Sequence, residues 1–168
     1  MANSTDPVRR SARVLLVDGD DRVLLFFNQG SVVPGGDSYF TVGGGVEAGE
    51  SLPETAVREV FEETGLRVAP EALGAEVARR EGPWIAGDGI RYRAEEHYFF
   101  LRVNRFEPDL SGLEAGERNE VARCAWLSLA DLDATDAIVF PIGLPGLLKR
   151  LFAGERPEAP IELPWVDL

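Results

Sequence analysis

The sequence predicts a single domain of the α/β class. Short runs rich in leucine and β-branched residues, typical of strands, flank one well-delimited amphipathic helix. The chain has 168 residues, and a domain of this length buries about 68–70% of its unfolded surface. We assign residues 1–11 to a flexible N-terminal segment and 12–153 to the domain. The proline-rich tail, 154–168, is predicted to wrap the surface or to lie at a partner interface.

The net negative charge of the chain limits the kinds of partner that it can bind. Lys and Arg total 17 against 29 Asp and Glu, a formal net charge of -12, which repels the phosphate backbone of DNA or RNA. We therefore expect no nucleic-acid polymer as partner. A small phosphorylated substrate stays compatible with this charge, because bound metal ions invert the local sign.

The apolar pattern of the chain and its single cysteine predict where the protein is located and whether it forms a disulfide. No apolar run approaches the roughly 20 residues of a membrane-spanning helix, and the N-terminal residues show no secretory pattern. We expect a cytoplasmic protein without a membrane partner. The single cysteine, Cys124, cannot form an intramolecular disulfide and lies in an apolar stretch, which indicates a small buried hydrophobe.

The first two strands form a hairpin in this prediction. Residues 12–17 and 22–27 are apolar runs separated by Asp-Gly-Asp-Asp, which is turn chemistry. A calcium loop beginning at Asp18 is disfavoured, because its sixth position is Val23 rather than Gly and its twelfth is Gln29 rather than Glu.

The predicted helix has clear ends. Ser51 and Glu54 form a capping box, Pro53 occupies the first turn, and Gly65 suits the left-handed residue after the helix. Three apolar residues spaced by four form the inward stripe: Leu52, Ala56 and Val60.

Further elements are predicted on both sides of this helix. A strand over 39–42 leads into three glycines, and residues 97–103 and 122–127 are further strands. The apolar pattern over 147–152 predicts a last helix.

Three glutamates on the helix carry the chemical signal. Glu59 lies three and four positions before Glu62 and Glu63, so the carboxylates point to one neighbourhood. Each like-charge pair costs about 0.2–0.5 kcal/mol. A solvated acidic face is the ordinary interpretation of such a pattern. The three preceding glycines and the opposite charges of Glu50 and Arg58 favour a Mg²⁺ or Mn²⁺ site instead.

These residues resemble the Nudix box. The match is Gly44, five residues, Glu50, seven residues, and then Arg58-Glu-Val-Phe-Glu-Glu-Thr-Gly-Leu66, with every fixed position filled. The flanking hairpin, the Tyr-Phe-Thr-Val-Gly-Gly-Gly entry and the Ala-Trp-Leu-Ser-Leu-Ala-Asp-Leu segment extend the similarity over most of residues 12–132.

The resemblance implies an α/β/α sandwich with a mixed central sheet. It also implies divalent-metal-dependent hydrolysis of a nucleoside diphosphate linked to another group. Glu59, Glu62 and Glu63 would be metal ligands, with the backbone of Gly44 contributing a carbonyl and Arg58 helping to hold the loop and the helix in register. A homodimer is compatible with the family.

The general base is open at this stage. We favour Glu59 as ligand and base. The alternatives are loop acids outside the box: Glu95, Glu96, Glu117 and Glu120.

Substrate contacts are predicted after the box. Trp84 could stack on a base and Arg91 or Arg93 could hold a phosphate, all three from a loop. His97, the only histidine, begins an apolar run and is expected to be a strand residue with a local hydrogen bond.

Three other functions compete with a nucleotide-conjugate hydrolase. A house-cleaning pyrophosphohydrolase would act on free or damaged nucleoside triphosphates. Pro83, at the approximate position of a proline in ADP-ribose-cleaving relatives, slightly favours a conjugate. A non-catalytic nucleotide-sensing domain is disfavoured by the intact acids. A diphosphate isomerase is disfavoured by the single cysteine and single histidine.

Overall fold

The computed structural model describes residues 5–33, 36–113 and 121–166. Within these ranges one mixed sheet contains eight strands. They are β1 (Val8–Val17), β2 (Val23–Val33), β3 (Gly36–Gly45), β4 (Ala78–Ile85), β5 (Arg91–Arg102), β6 (Val121–Leu127), β7 (Ile138–Val139) and β8 (Ile161–Glu162).

Three α-helices and two short 3₁₀ turns accompany the sheet in the described residues. The helices are α1 (Leu52–Thr64), α2 (Leu129–Ala134) and α3 (Leu144–Phe152), and the turns are Pro70–Leu73 and Leu110–Gly112. None of the helices in the described part of the chain has both the length and the apolar character needed to cross a membrane.

The strand order brings distant segments together. The sheet runs β6-β2-β3-β1-β5-β4-β8, with β7 paired against β3. The central strand β1 is antiparallel to β3 and parallel to β5. Strand β1 therefore lies between β3 and β5 in the middle of the sheet, although β5 follows β1 by about 80 residues in the chain.

Helices cover both faces of the sheet. Val14 and Leu16 of β1 pack with Ala56 and Val60 of α1 in one buried cluster. The alternate residues of β1, including Leu15, pack with α2 and α3 in a second cluster. This alternation follows from the two-residue period of a strand. The predicted α/β/α sandwich with a mixed sheet is confirmed.

Several local predictions are confirmed. Asp18 closes the β1–β2 turn, because its backbone N–H donates to the Arg22 carbonyl at 3.0 Å and its side chain accepts two backbone N–H groups. Cys124, expected to be a buried hydrophobe, is partly buried and packs on the α1 side of the core.

Other boundaries differ from the prediction. β1 begins at Val8, so residues 8–11 of the predicted flexible segment lie in the sheet. The segment predicted to be a loop after the box is the β4–β5 hairpin, with Trp84 opposite Tyr92. The predicted loop failed because β4 contains two arginines, a glutamate, a glycine and a proline, which hide the alternation of a strand.

Candidate active site

Helix α1 presents its acids at the rim of a cleft. Ser51 Oγ accepts from the Glu54 N–H at 3.3 Å, and Glu54 Oε2 accepts from the Ser51 N–H at 2.7 Å, as the capping box predicts. Gly65 ends the helix with a φ of 77°, a left-handed conformation that glycine adopts without strain. The buried face of α1 fixes the rotation of the helix, and its three predicted ligand glutamates line the cleft.

Arg58 ties the acidic helix to the preceding loop. Its Nε donates to Glu50 Oε1 at 2.6 Å, and its Nη2 donates to Glu50 Oε2 at 3.1 Å and to the Gly45 carbonyl at 2.9 Å. Its Nη1 donates to Glu59 at 2.9 Å and to Glu62 at 3.1 Å. These bonds lower the pKa of Glu50 to about 2 and raise the pKa of Arg58. The predicted pairs with Glu50 and Glu62 are present.

Glu59 lies directly against the glycine loop. A Cβ added to Gly44 would be 2.5 Å from the Glu59 carboxyl carbon, so a larger residue at this position would force the Glu59 carboxylate to move. The Glu59 side chain is 13% exposed. Burial raises its pKa, although Arg58 acts in the opposite direction. A carboxylate with a raised pKa in a cleft is a better proton acceptor than an ordinary glutamate.

Glu63 and Glu62 differ in environment. Glu63 is buried and accepts the Gly43 backbone N–H at 2.9 Å. A Cβ on Gly43 would overlap the Ala12 carbonyl oxygen, so glycine is also required there for close approach of β3 to β1. Glu62 is more open, with 48% of its side chain exposed.

The donor set fits a hard divalent cation, but it is not assembled into a cage. In the described ranges, no three acidic, histidine or cysteine side chains are close enough to hold a metal ion. The oxygens of Glu59 and Glu62 are instead bound by Arg58, and an oxygen of Glu63 is bound by Gly43 N–H. Carboxylates with an adjacent backbone carbonyl are the ligands that Mg²⁺ and Mn²⁺ prefer.

The cleft has a volume of about 810 Å³, and residues far from the box complete it. Arg13 donates to the Gly43 carbonyl at 2.9 Å and to Glu96 at 3.4 Å. Glu96 also accepts from Arg80 at 2.5 Å and from the Tyr98 hydroxyl at 2.6 Å. Burial raises the pKa of Glu96, but Arg13 and Arg80 outweigh it and lower the pKa to about 2.

The structure separates the three predicted substrate residues. Trp84 lines the cleft, and the guanidinium of Arg9 lies 4.7 Å from its ring centroid. Arg91 and Arg93 are outside the set of cleft-lining residues. Arg91 forms an ion pair with Asp6 at 3.2 Å, and Arg93 forms an ion pair with Glu95 at 3.1 Å.

Two of the four alternative general bases have positions different from those predicted. Glu95 and Glu96 lie within β5 and not in a loop before it. Glu96 lines the cleft but, with a pKa of about 2, is a poor proton acceptor near neutral pH. Glu117 and Glu120 lie outside the described residues. His97 is within β5 and contacts Glu76 at 2.7 Å, the local hydrogen bond expected for it.

The polar and aromatic cleft residues that were not predicted as site residues include Arg9, Arg13 and Trp165, and Glu96 was predicted as a base rather than as a structural carboxylate. A signal existed for Arg13, since it is the only charged residue in the predicted strand 12–17 and shares a strand face with the buried Leu15 and Val17. Trp165 carried no such signal, because its position depends on where the C-terminal tail docks.

The fold and the site define an α/β/α domain with a glycine loop and an acid-bearing helix at one cleft. The NUDIX domain profile matches residues 7–142. A Mycobacterium tuberculosis protein that carries the name MutT4 is 32% identical over 122 residues, covering 72% of this chain and 45% of the relative. The RNA pyrophosphohydrolase of Roseobacter denitrificans is 31% identical over 137 residues, covering 75% and 80%.

A solved structure shares the fold. A bifunctional NMN adenylyltransferase/ADP ribose pyrophosphatase from Francisella tularensis, complexed with AMP and a Mn ion, gives a TM-score of 0.59 at 18% identity. The match covers 91% of this chain and 44% of that one.

The chain belongs to the Nudix family. This confirms the family and the hydrolase class that the box predicted. The chain spans less than half the length of the MutT4 relative.

Proposed function

We propose that this chain hydrolyses a pyrophosphate bond in a nucleoside diphosphate linked to another group, of the ADP-ribose or sugar-nucleotide type. One observation carries the proposal: the box glutamates, Arg58 and Gly44 line a single cleft of about 810 Å³. Such a volume is within the usual range of small-molecule sites.

We assign the metal site to Glu59, Glu62, Glu63 and the backbone carbonyl of Gly44. When bound, Mg²⁺ or Mn²⁺ neutralises charge on the pyrophosphate oxygens and lowers the pKa of a coordinated water. Arg58 holds the loop at Gly45 and the helix in register, because it bonds to both.

Glu59 is the proposed base. Its carboxylate is mostly buried and lines the cleft against the glycine loop, which places it to accept a proton from the attacking water. The bond formed is between the water oxygen and one phosphorus, and the bond broken joins that phosphorus to the bridging oxygen. The products are a nucleoside monophosphate and a second phosphorylated compound. Glu120 stays a proposed alternative base.

Two features support a small conjugate as substrate. The Francisella neighbour is named as an ADP ribose pyrophosphatase and holds a Mn ion. The net charge of -12 opposes a polymeric substrate. Homodimer formation and a cytoplasmic location stay predictions.

A second candidate is removal of pyrophosphate from a triphosphate. The relative named RNA pyrophosphohydrolase favours a triphosphate-bearing substrate, and a free nucleoside triphosphate suits the acidic chain better than RNA does.

The test is product release from ADP-ribose, sugar nucleotides, dinucleoside polyphosphates, nucleoside triphosphates and 5′-triphosphate RNA. Each is assayed with Mg²⁺, with Mn²⁺ and with chelator. We expect metal-dependent cleavage of the conjugates. Cleavage of triphosphates alone would favour the second candidate, and no cleavage by a metal-loaded protein would overturn the hydrolase proposal.

Matched variants separate chemistry from folding. Glu62→Gln and Glu63→Gln are expected to fold and to lose about 100-fold or more in kcat, because a neutral amide is a poor ligand for a hard cation. Glutamine at position 63 can still accept the Gly43 N–H. Glu158→Gln, an exposed acid outside the cleft, is the control for the change in charge. Full activity of both box variants would remove the assigned metal site.

A further inference from the structure

The C-terminal tail returns to the sheet and ends beside the cleft. Strand β8 pairs in parallel with β4, with Ile161 opposite Ala78 and Glu162 opposite Arg79. The Leu163 N–H donates to the Arg79 carbonyl at 2.8 Å, and the Leu163 side chain packs on the core. The tail is therefore attached to the sheet as far as Leu163, two residues before Trp165.

Trp165 lies flat on strand β4. A Cβ added to Gly82 would overlap the indole ring, so the ring occupies the space that a side chain at this position would fill. The Arg80 guanidinium lies 4.7 Å from the ring centroid. Arg80 and Gly82 are two positions apart and project to the same face of the strand, so both support one ring.

A chain of contacts links Trp165 to the acidic helix. Arg80 bonds to Glu96 at 2.5 Å, and Glu96 is bonded by Arg13 at 3.4 Å. Arg13 donates to the Gly43 carbonyl, and the N–H of that glycine donates to Glu63 at 2.9 Å. Trp165 lines the same cleft as Glu63. The aromatic ring and the acids are thus parts of one binding site.

The two cleft tryptophans offer different surfaces. Trp84 is 36% exposed, with Arg9 at 4.7 Å from its centroid and Tyr92 at 5.7 Å between ring centroids. Trp165 is partly buried, rests on Gly82 of β4 and borders the cleft. A rigid indole on a sheet is a suitable stacking surface for a planar base, because little side-chain freedom is lost on binding.

We propose that Trp165 is a specificity-determining residue that stacks on the nucleobase of the substrate, with Arg80 as its positioning residue. This inference rests on the proposed function, since it names the nucleoside part of that substrate as the group recognised by the tail. In this arrangement the diphosphate would lie at the metal site proposed on α1, and the tail would select for a base.

The test measures binding without catalysis. Adenosine, guanosine, cytidine and uridine 5′-monophosphates and ribose 5-phosphate are titrated calorimetrically into the protein in chelator. Trp165→Leu keeps an apolar side chain on Gly82 and removes the flat ring, and Trp165→Phe keeps a ring. Val166→Ala, an exposed neighbour outside the cleft, is the control.

We expect Trp165→Leu to weaken binding of the preferred nucleotide by about 10-fold or more and to leave ribose 5-phosphate unchanged. Trp165→Phe should stay within about 3-fold of the parent, and Val166→Ala should match it. The inference is overturned if Trp165→Leu binds nucleotides like the parent, or if it loses ribose 5-phosphate equally. It is also overturned if the parent chain does not prefer a nucleotide to ribose 5-phosphate.

The two proposals fail separately. Loss of base selectivity in Trp165→Leu, together with no pyrophosphate cleavage by the parent, would remove the hydrolase proposal and keep the stacking site. Metal-dependent cleavage that is the same in the parent and in Trp165→Leu would keep the hydrolase proposal and remove the stacking site. Where cleavage occurs, Trp165→Leu should raise KM by about 10-fold with kcat within about 2-fold.

Discussion

Replacing Arg58 with methionine is expected to destabilise the domain more than any surface arginine would. The change removes five contacts while keeping a long apolar stem: two to Glu50, one each to Glu59 and Glu62, and one to the Gly45 carbonyl. Each is a charge-assisted bond, which is the stronger kind in proteins.

The magnitude follows from which carboxylates lose their partner. Glu50 is 18% exposed and Glu59 is 13% exposed, so both would keep a charge in a poorly hydrated place. Breaking a buried ion pair by removing one partner costs about 3–5 kcal/mol. Because Arg58 itself is 22% exposed, we expect the low end, about 3 kcal/mol. For a domain of this length that is a fall in Tm of about 6–12 °C.

Arg150→Met is the matched control. Arg150 makes one ion pair, with Glu155 at 2.7 Å, and both side chains are about half exposed. Pairs of this kind contribute about 1 kcal/mol or less. The free energy of unfolding is measured by urea denaturation in chelator, so that metal binding does not offset the lost cation. Arg58→Lys, which keeps the charge and loses the forked contact with Glu50, should fall between the parent and Arg58→Met.

A double-mutant cycle separates the pair from the rest of the network. Glu50→Gln combined with Arg58→Met should cost clearly less than the sum of the two single changes. Equal losses in Arg58→Met and Arg150→Met, or strict additivity in the cycle, would refute the claim that Arg58 joins the loop to the helix.

Three further predictions concern the cleft. The pKa of Glu96 is about 2 against an ordinary value of 4.5, so its contribution to stability is present above about pH 4.5 and lost as pH falls toward 2. The gap in unfolding free energy between the parent and Glu96→Gln should therefore shrink by about 2 kcal/mol from about pH 7 to about pH 3 in urea titrations, and a constant gap would contradict this. Gly44→Ala should lower kcat by about 10- to 100-fold with little change in Tm, because the new methyl group displaces the Glu59 carboxylate. Trp84→Ala should raise KM for the cleaved substrate with little effect on thermal unfolding, and an unchanged KM would assign this ring to packing against Arg9 and Tyr92.

The elements predicted well are those whose signals are local. Helix α1 begins and ends as its capping box and Gly65 indicate, and its apolar stripe is buried. Strand β4 was missed because arginine, glutamate, glycine and proline occupy the positions where apolar residues would mark a strand. His97 was placed at the start of its strand for a related reason, since the preceding half of β5 is mostly charged.

The sequence by itself determined the family, the capped helix of the box and the acids it carries. These depend on residues within one helix and the loop before it, where spacing alone sets which side chains are neighbours. Only the tertiary structure decided what lies across the cleft. Arg13 and Glu96 are 83 positions apart and meet because β1 pairs with β5. Trp165 reaches Gly82 because the tail pairs with β4. Strand register brings these groups together, and no local pattern specifies which distant strand becomes a neighbour.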